Sequence, residues 1–187
     1  FSIVKLDKAH TQVKKMTALI NSFLNVSSFE AGKIYLNEET FEMNALLNEV
    51  MEEVTLITAT SHNIAVLPSP TVSVKADRDK IGQVINNFLS NSVKYSPDGK
   101  NIEISCKEVN GTVQVSVKDE GIGIKLQDQE KLFDRYYRIE NMDTKKNSGF
   151  GLGLYLSAEI IQRHNGKVWI ESEKDKGSTF YFSLPLN

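Results

Sequence analysis

Two alternating runs, NIEISCKEV (Asn101–Val109) and TVQVSVKD (Thr112–Asp119), meet across Asn110-Gly111. Successive side chains of a strand point to opposite faces, and Asn-Gly suits a two-residue turn that needs positive φ at both positions. No other feature restricts the fold as tightly: these residues form an antiparallel hairpin with one apolar face that must be covered. Helical periodicity runs through Arg78–Tyr95 and through Leu152–His164, the latter ending at the cap Asn165-Gly166. The patterns predict a further helix over Met43–Ala59, strands over VSVKA (Val72–Ala76), Lys167–Ser172 and Ser178–Leu184, and an extended piece over KIYL (Lys33–Leu36). From Ile34 onward the chain is therefore mixed α and β.

The first thirty residues follow another rule. Leu6, Ala9, Val13, Met16, Ile20 and Phe23 recur in alternating steps of three and four, the a/d pattern of a heptad, and Leu19 and Leu24 widen the stripe. Lys5, Lys8, Lys14 and Lys15 take exposed positions, and Ala31-Gly32 supplies a stop. A lone helix cannot bury such a stripe against itself; it needs a helix from upstream sequence, another copy of the chain, or its own domain. The boundary falls near residues 32–40. A chain of 187 residues, 40% apolar and 25% charged, has room for one domain plus such an appendage. A net charge of −2 gives no whole-domain signal for nucleic acid, and the single cysteine, Cys106, excludes an internal disulfide and fits a reducing compartment. The opening FSIVKLDKAH is neither a signal peptide nor a start of translation, so a fragment is expected. No apolar run approaches the roughly 20 residues that span a bilayer, and any membrane anchor is expected elsewhere in a parent protein.

Three clusters carry chemistry. In NNFLSNSVKYSP, Asn87 and Asn91 share one helix face with Lys94 three residues on, whereas Phe88, Leu89 and Val93 point to a buried side. In DEGIGI, Asp119 ends a strand, and Gly121 and Gly123 permit close approach of a ligand to the backbone; alone, this motif is equally a strand-ending turn. In SGFGLGLYLSAEII, Gly149, Gly151 and Gly153 enter a helix whose first amides could hold phosphate oxygens, although glycines there also serve packing. The six-residue spacing of a dinucleotide fingerprint and the GxxxxGK[ST] of a P-loop are both absent.

In this order, NNFLSNSVKYSP, DEGIGI, LFDRYYR, GFGLGL and GSTF resemble the nucleotide-binding boxes of sensor histidine kinases. Their ATP-binding fold is shared with DNA gyrase, mismatch-repair ATPases and heat-shock chaperone ATPases. The resemblance covers essentially the whole chain. It implies a Bergerat-type α/β (α+β) sandwich, a mixed, mostly antiparallel sheet packed on helices, preceded by one long coiled-coil-like helix. Residues 1–33 look like the second helix of the dimerisation and histidine-phosphotransfer hairpin, with FLNVSSFEAGKIYL as its exit. Residues 34–187 look like the catalytic domain, with an ATP lid over about 124–150.

The resemblance also implies roles. Asn91 matches the amide that holds Mg²⁺, a hard ion suited to a neutral oxygen, and Asn87 matches the earlier asparagine of that box. Lys94 would meet phosphate oxygens as a point charge, and Tyr95 would flank the nucleotide. Asp119 matches the acid that reads adenine, since a carboxylate only accepts and so prefers an exocyclic amine to guanine's carbonyl. Gly121 and Gly123 would pass beneath the base, and Gly149, Gly151, Leu152 and Gly153 would lie at the phosphates. Arg138 matches the arginine that reaches the γ-phosphate when the lid closes and stabilises charge on the transferring group. Phe133 and Tyr136 are expected to anchor the lid in the core. Thr179 matches the last box, where Gly177 shapes a hairpin.

The implied reaction is ATP-dependent transfer of a phosphoryl group to histidine, for relay to an aspartate of a response-regulator receiver domain. The implied assembly is a homodimer through the hairpin helices, in the cytoplasm, with neither nucleic acid nor membrane touched by this fragment. An acceptor histidine with an acid beside it is missing. His10 is followed by Thr-Gln-Val-Lys, His62 precedes a strand, and His164 ends a helix. The acceptor is expected upstream, so the fragment alone should bind Mg-ATP without phosphorylating itself. Two alternatives stay open: an ATPase or serine kinase on the same fold, and a nucleotide-gated scaffold that transfers nothing.

Overall fold

The computed structural model describes residues 13, 16, 17, 20, 35–58, 62–97, 100–139 and 150–186. The chain divides into two compact units, Phe1–Tyr35 and Leu36–Asn187. In the first, Val13, Met16, Thr17 and Ile20 are helical, and Val13, Met16 and Ile20, members of the expected stripe, are exposed. The other stripe positions lie outside the described residues.

The second unit runs β1 (Glu38–Glu42), α1 (Met43–Thr58), β2 (Asn63–Val66), β3 (Ser73–Asp77), α2 (Arg78–Tyr95), β4 (Asn101–Val109), β5 (Thr112–Asp119), α3 (Leu126–Gln129), α4 (Gly153–Arg163), β6 (Lys167–Glu173) and β7 (Gly177–Pro185). The hairpin closes as its residues demand, with Asn110 and Gly111 at φ of 49° and 74° and Val109 opposite Thr112. It forms the centre of a five-stranded sheet ordered β2-β4-β5-β7-β6, in which β2 and β4 are parallel and all other pairs antiparallel. β1 and β3 form a separate antiparallel pair. The mixed, mostly antiparallel sheet packed on helices is therefore present.

Strand parity decides which side chains meet the helices. Ile102, Ile104 and Cys106 of β4, Val113, Val115 and Val117 of β5, and Phe180, Phe182 and Leu184 of β7 are buried. Facing them from α2 are Ile81, Val84, Ile85, Phe88 and Leu89, with Leu156, Ile160 and Ile161 from α4. Phe88 packs on Phe180 at a centroid distance of 5.3 Å, and truncating such a buried ring to alanine costs about 3–5 kcal/mol. On the opposite face Trp169 stacks on Tyr181 at 5.0 Å, and Lys118 pairs with Glu103.

Helix α2 begins where Asp77 caps it, accepting from the amide of Lys80 at 3.1 Å and from that of Asn37 at 3.0 Å. The buried His164 ties this start to the end of α4. Its Nε2 accepts from the Asp77 amide at 3.0 Å, which places the proton on Nδ1, where it is donated to the Ile160 carbonyl at 2.7 Å.

Several boundaries differ from expectation. KIYL is not a strand in its described half, Tyr35 and Leu36; pairing starts at Glu38, where β3 offers a partner. β2 and α3 were not expected as elements. β2 draws its pairing from β4, nearly forty residues away, and α3 is a single turn.

Candidate functional site

Three segments converge at the end of β5. Val113, Val115 and Val117 point to the helices, so Asp119, two residues further, does as well, and it is 4% exposed. Its Oδ1 accepts from the amide of Gly121 at 2.8 Å and from that of Ser178 at 3.3 Å, and its Oδ2 accepts from the Ser92 hydroxyl at 3.2 Å. Burial pushes the carboxyl above its usual range, and the donors from Gly121, Ser92 and Ser178 oppose that push. No charged side chain contributes. A buried carboxylate without a countercharge is costly, and a fold has no need of one for packing.

The backbone around it is shaped to this carboxyl. Gly177 has φ of 99°, and a Cβ there would lie 2.0 Å from the Asp119 carbonyl oxygen. Gly121 backs onto both Asp119 and the Tyr95 carbonyl, which also accepts from the Ile122 amide at 3.2 Å. Gly123 backs onto the Glu173 carbonyl.

On α2, Asn87, Asn91, Lys94 and Tyr95 are half-buried beside the apolar stripe. Asn87 donates to the Ser157 hydroxyl at 2.9 Å, and Ser157 in turn donates to the Gly153 carbonyl at 3.1 Å. A Cβ on Gly153 would lie 2.5 Å from Asn87 Oδ1, so a larger residue there would displace the Asn87 side chain. The Asn91 side chain makes no hydrogen bond to another described residue, which leaves a neutral amide oxygen for a hard cation. The Lys94 ammonium sits 4.8 Å from the centroid of the Tyr95 ring.

The described residues of the expected lid are tied to β6 and to one another. Ile124 donates to the Ser172 hydroxyl, and the Gln129 amide donates to the carbonyls of Ile124 and Ser172, each at 2.8 Å. Tyr137 donates to Asp128 at 2.8 Å, which raises the phenol's pKa. Arg138 is exposed. Gly151 accepts from the Tyr136 amide at 2.9 Å, and Leu152, 4% exposed, packs inward at the start of α4. Gly149 lies outside the described residues.

Two expectations need correction. Tyr136 does not anchor the lid in the core: it is 54% exposed, has φ of 64°, and hydrogen-bonds to Arg135. Phe133 is only half-buried. Thr179 does not turn toward Asp119. Strand parity places it with Tyr181 on the opposite sheet face, where it lies opposite Lys118 and Glu171. Its neighbour Ser178 lies on the Asp119 side. Ser178 and Ser92 are the residues that reading by motif missed. Each keeps the period of the buried stripe on its own element, Ser178 with Phe180 and Phe182, Ser92 with Phe88, and that signal was available.

The remaining histidines are engaged. His62 Nε2 lies 3.2 Å from the Ser96 carbonyl, and His164 uses both ring nitrogens. His10 lies outside the described residues. A separate cleft of about 530 Å³ runs between α1 and α2, with Leu46, Val50 and Gly82 below and Glu49, Glu53 and Arg78 around it. Of the expected site residues it includes Asn87 alone.

Comparison with known proteins gives a concordant result. The chain is 37% identical over 178 residues to the sensor histidine kinase WalK of Bacillus subtilis (strain 168), covering 93% of this chain and 29% of that protein. It is 31% identical over 182 residues to the sensor protein kinase WalK of Staphylococcus aureus (strain MRSA252), covering 96% and 30%. The chain thus spans less than a third of the length of these relatives. The catalytic domain of histidine kinase ThkA superposes with a TM-score of 0.65 at 27% identity, covering 80% of this chain and 95% of that one. Acinetobacter baumannii histidine kinase AdeS, at 24% identity, shares the fold with a TM-score of 0.77 over 95% and 81% of the two chains. The family model for histidine kinase-, DNA gyrase B- and HSP90-like ATPases matches residues 76–187, the span that holds α2, the Asp119 hairpin, the lid and α4, and the chain belongs to that family.

Proposed function

We propose that this chain is the catalytic ATP-binding region of a two-component sensor histidine kinase. One observation carries the reading: Asp119 is a buried, uncompensated carboxylate whose Oδ2 keeps accepting capacity beside the amide-bearing face of α2. Such an acceptor selects a purine with an exocyclic amine. Asn87, Asn91 and Lys94, a helical turn apart, would take the triphosphate, with Tyr95 flanking the nucleotide. Gly121 and Gly123 would lie by the base, and Gly149, Gly151, Leu152 and Gly153 by the phosphates. Asn91 fits Mg²⁺, which when bound would supply charge neutralisation at the β- and γ-phosphates. Arg138, exposed on the lid, would reach the γ-phosphoryl oxygens on closure.

The chain would position an in-line transfer in which the bond from the γ-phosphorus to the bridging oxygen of ADP breaks as a bond to a histidine nitrogen forms. Neither His62 nor His164 is free to serve as acceptor, so the acceptor would lie on a dimerisation hairpin of which residues 1–33 form the second helix. Residues 34–187 would be the catalytic domain. The parent would be a homodimer through that hairpin, passing its phosphate to a receiver-domain aspartate in the cytoplasm. Among the described residues, no helix is long and apolar enough to cross a membrane.

The test uses the full-length parent, γ-labelled ATP and a purified receiver domain. Label on a parent histidine, then on the receiver aspartate, is the expected result. Release of phosphate with no labelled protein would favour an ATPase on the same fold.

A further inference from the structure

Ser92 has no exposed surface, yet it continues the α2 stripe of Ile85, Phe88 and Leu89, where an apolar side chain would pack with no partner required. A buried hydroxyl is tolerated only when hydrogen-bonded, and this one donates to Asp119 Oδ2 at 3.2 Å. The two carboxylate oxygens are held differently. Oδ1 receives two backbone amides, from Gly121 and Ser178, whose positions the loop and the β5–β7 ladder fix. Oδ2 receives the Ser92 hydroxyl alone. Rotation about Cβ–Cγ swings both oxygens together through a broad torsional well, so the Ser92 donor on Oδ2 adds to the two amides on Oδ1 and narrows the plane they set.

We propose that Ser92 is a positioning residue for base recognition, fixing the plane of the Asp119 carboxylate so that the open lone pair of Oδ2 meets the exocyclic amine of the nucleotide. The inference rests on the reading of Asp119 as the base-binding acid. It assigns Ser92 a part in specificity although it need not touch the ligand.

A second consequence concerns ionisation. Burial raises the Asp119 carboxyl, and only the donors from Gly121, Ser92 and Ser178 counter it. The charged residues that flank it in sequence, Lys118 and Glu120, are paired at the surface with Glu103 and Lys100 and add nothing. Removing the Ser92 donor leaves burial less opposed, so the carboxyl rises further. Recognition of the amine needs the ionised form, so affinity for ATP must then fail at a higher pH than in the parent chain.

The experiment is calorimetric titration of the full chain with Mg-ATP and with the triphosphate of purine riboside, which lacks the amine, over a pH series. Ser92→Ala should weaken ATP about tenfold, as expected for a lost hydrogen bond to a charged group, and leave the amine-free nucleotide little changed. The pH at which ATP affinity falls should move up. Ser92→Cys, close in size but a weak donor, should lie between the two and serves if the alanine variant does not fold. Equal weakening of both nucleotides, or an unmoved pH profile, would overturn the proposal and leave Ser92 a packing residue. If the parent chain itself fails to distinguish the two nucleotides, the reading of Asp119 falls, and this inference with it.

Discussion

The two ends of the site are built on opposite principles. At the base end, Asp119 is sealed among three donors, with Gly121 and Gly177 pressed against it and β7 in fixed register alongside. Its geometry is complete before any ligand arrives. At the proposed phosphate end, the Asn91 side chain has no hydrogen bond to another described residue, Arg138 is exposed, and the described part of the lid is held by polar contacts such as those of Ile124, Gln129 and Tyr137. On the proposed reading, that end would be completed by what it binds. Preorganised dipoles are worth most where they discriminate, because they cost no reorganisation when the ligand enters. Groups that must follow a transferring charge need the opposite property, freedom to close on it. On the proposed reading, the contrast would give selectivity to one end and turnover to the other.

Variants should separate the two. The largest effect is expected at Arg138: in the full-length parent, Arg138→Ala should lower the rate of histidine phosphorylation by about a thousandfold, with ATP affinity nearly kept. A change confined to affinity, in single-turnover and binding measurements, would move Arg138 out of the transfer step. Next comes Asp119→Asn, which presents a donor where an acceptor is needed and should weaken ATP by about a hundredfold or more while narrowing its advantage over GTP. Competition binding with the two nucleotides reads this directly. Asn91→Ala should be milder, on the order of tenfold, and visible only with Mg²⁺ present. Titrations with and without the metal should differ in the parent and converge in the variant; identical curves in both proteins would break the assignment. The smallest effect is predicted for Thr179→Val, which should leave nucleotide affinity unchanged because its side chain lies opposite Lys118 on the far face of the sheet. A marked loss there would contradict the strand parity on which the base end depends.

Most of the scaffold was legible because its signals are local. Asn110-Gly111 between two alternating runs dictates a hairpin, and Arg78–Tyr95 announces its own limits through the Asp77 cap and the shift to Ser96-Pro97. What escaped depends on distant partners. β2 is four residues that become a strand only beside β4, and α3 is a turn held by Ser172 of β6. At the site, residue types chosen for their chemistry were readable, whereas the side each one faces was not always applied. Thr179 was favoured over Ser178 although Phe180 and Phe182 share parity with the serine. Tyr136 was expected inside because it is aromatic, yet its positive φ and its contact with Arg135 keep it at the surface. The glycines of 151 and 153 suited phosphate binding by motif, but packing alone already accounts for Gly151, whose Cβ would meet the Tyr136 backbone, and Gly153 lies against the Asn87 side chain.

The most direct test is a crystal structure of the full chain with Mg²⁺ and a non-hydrolysable ATP analogue. The account predicts the adenine amine on Asp119 Oδ2 with the phosphates running along α2 toward Asn91. A nucleotide lodged instead in the cleft between α1 and α2, with Asp119 untouched, would contradict it.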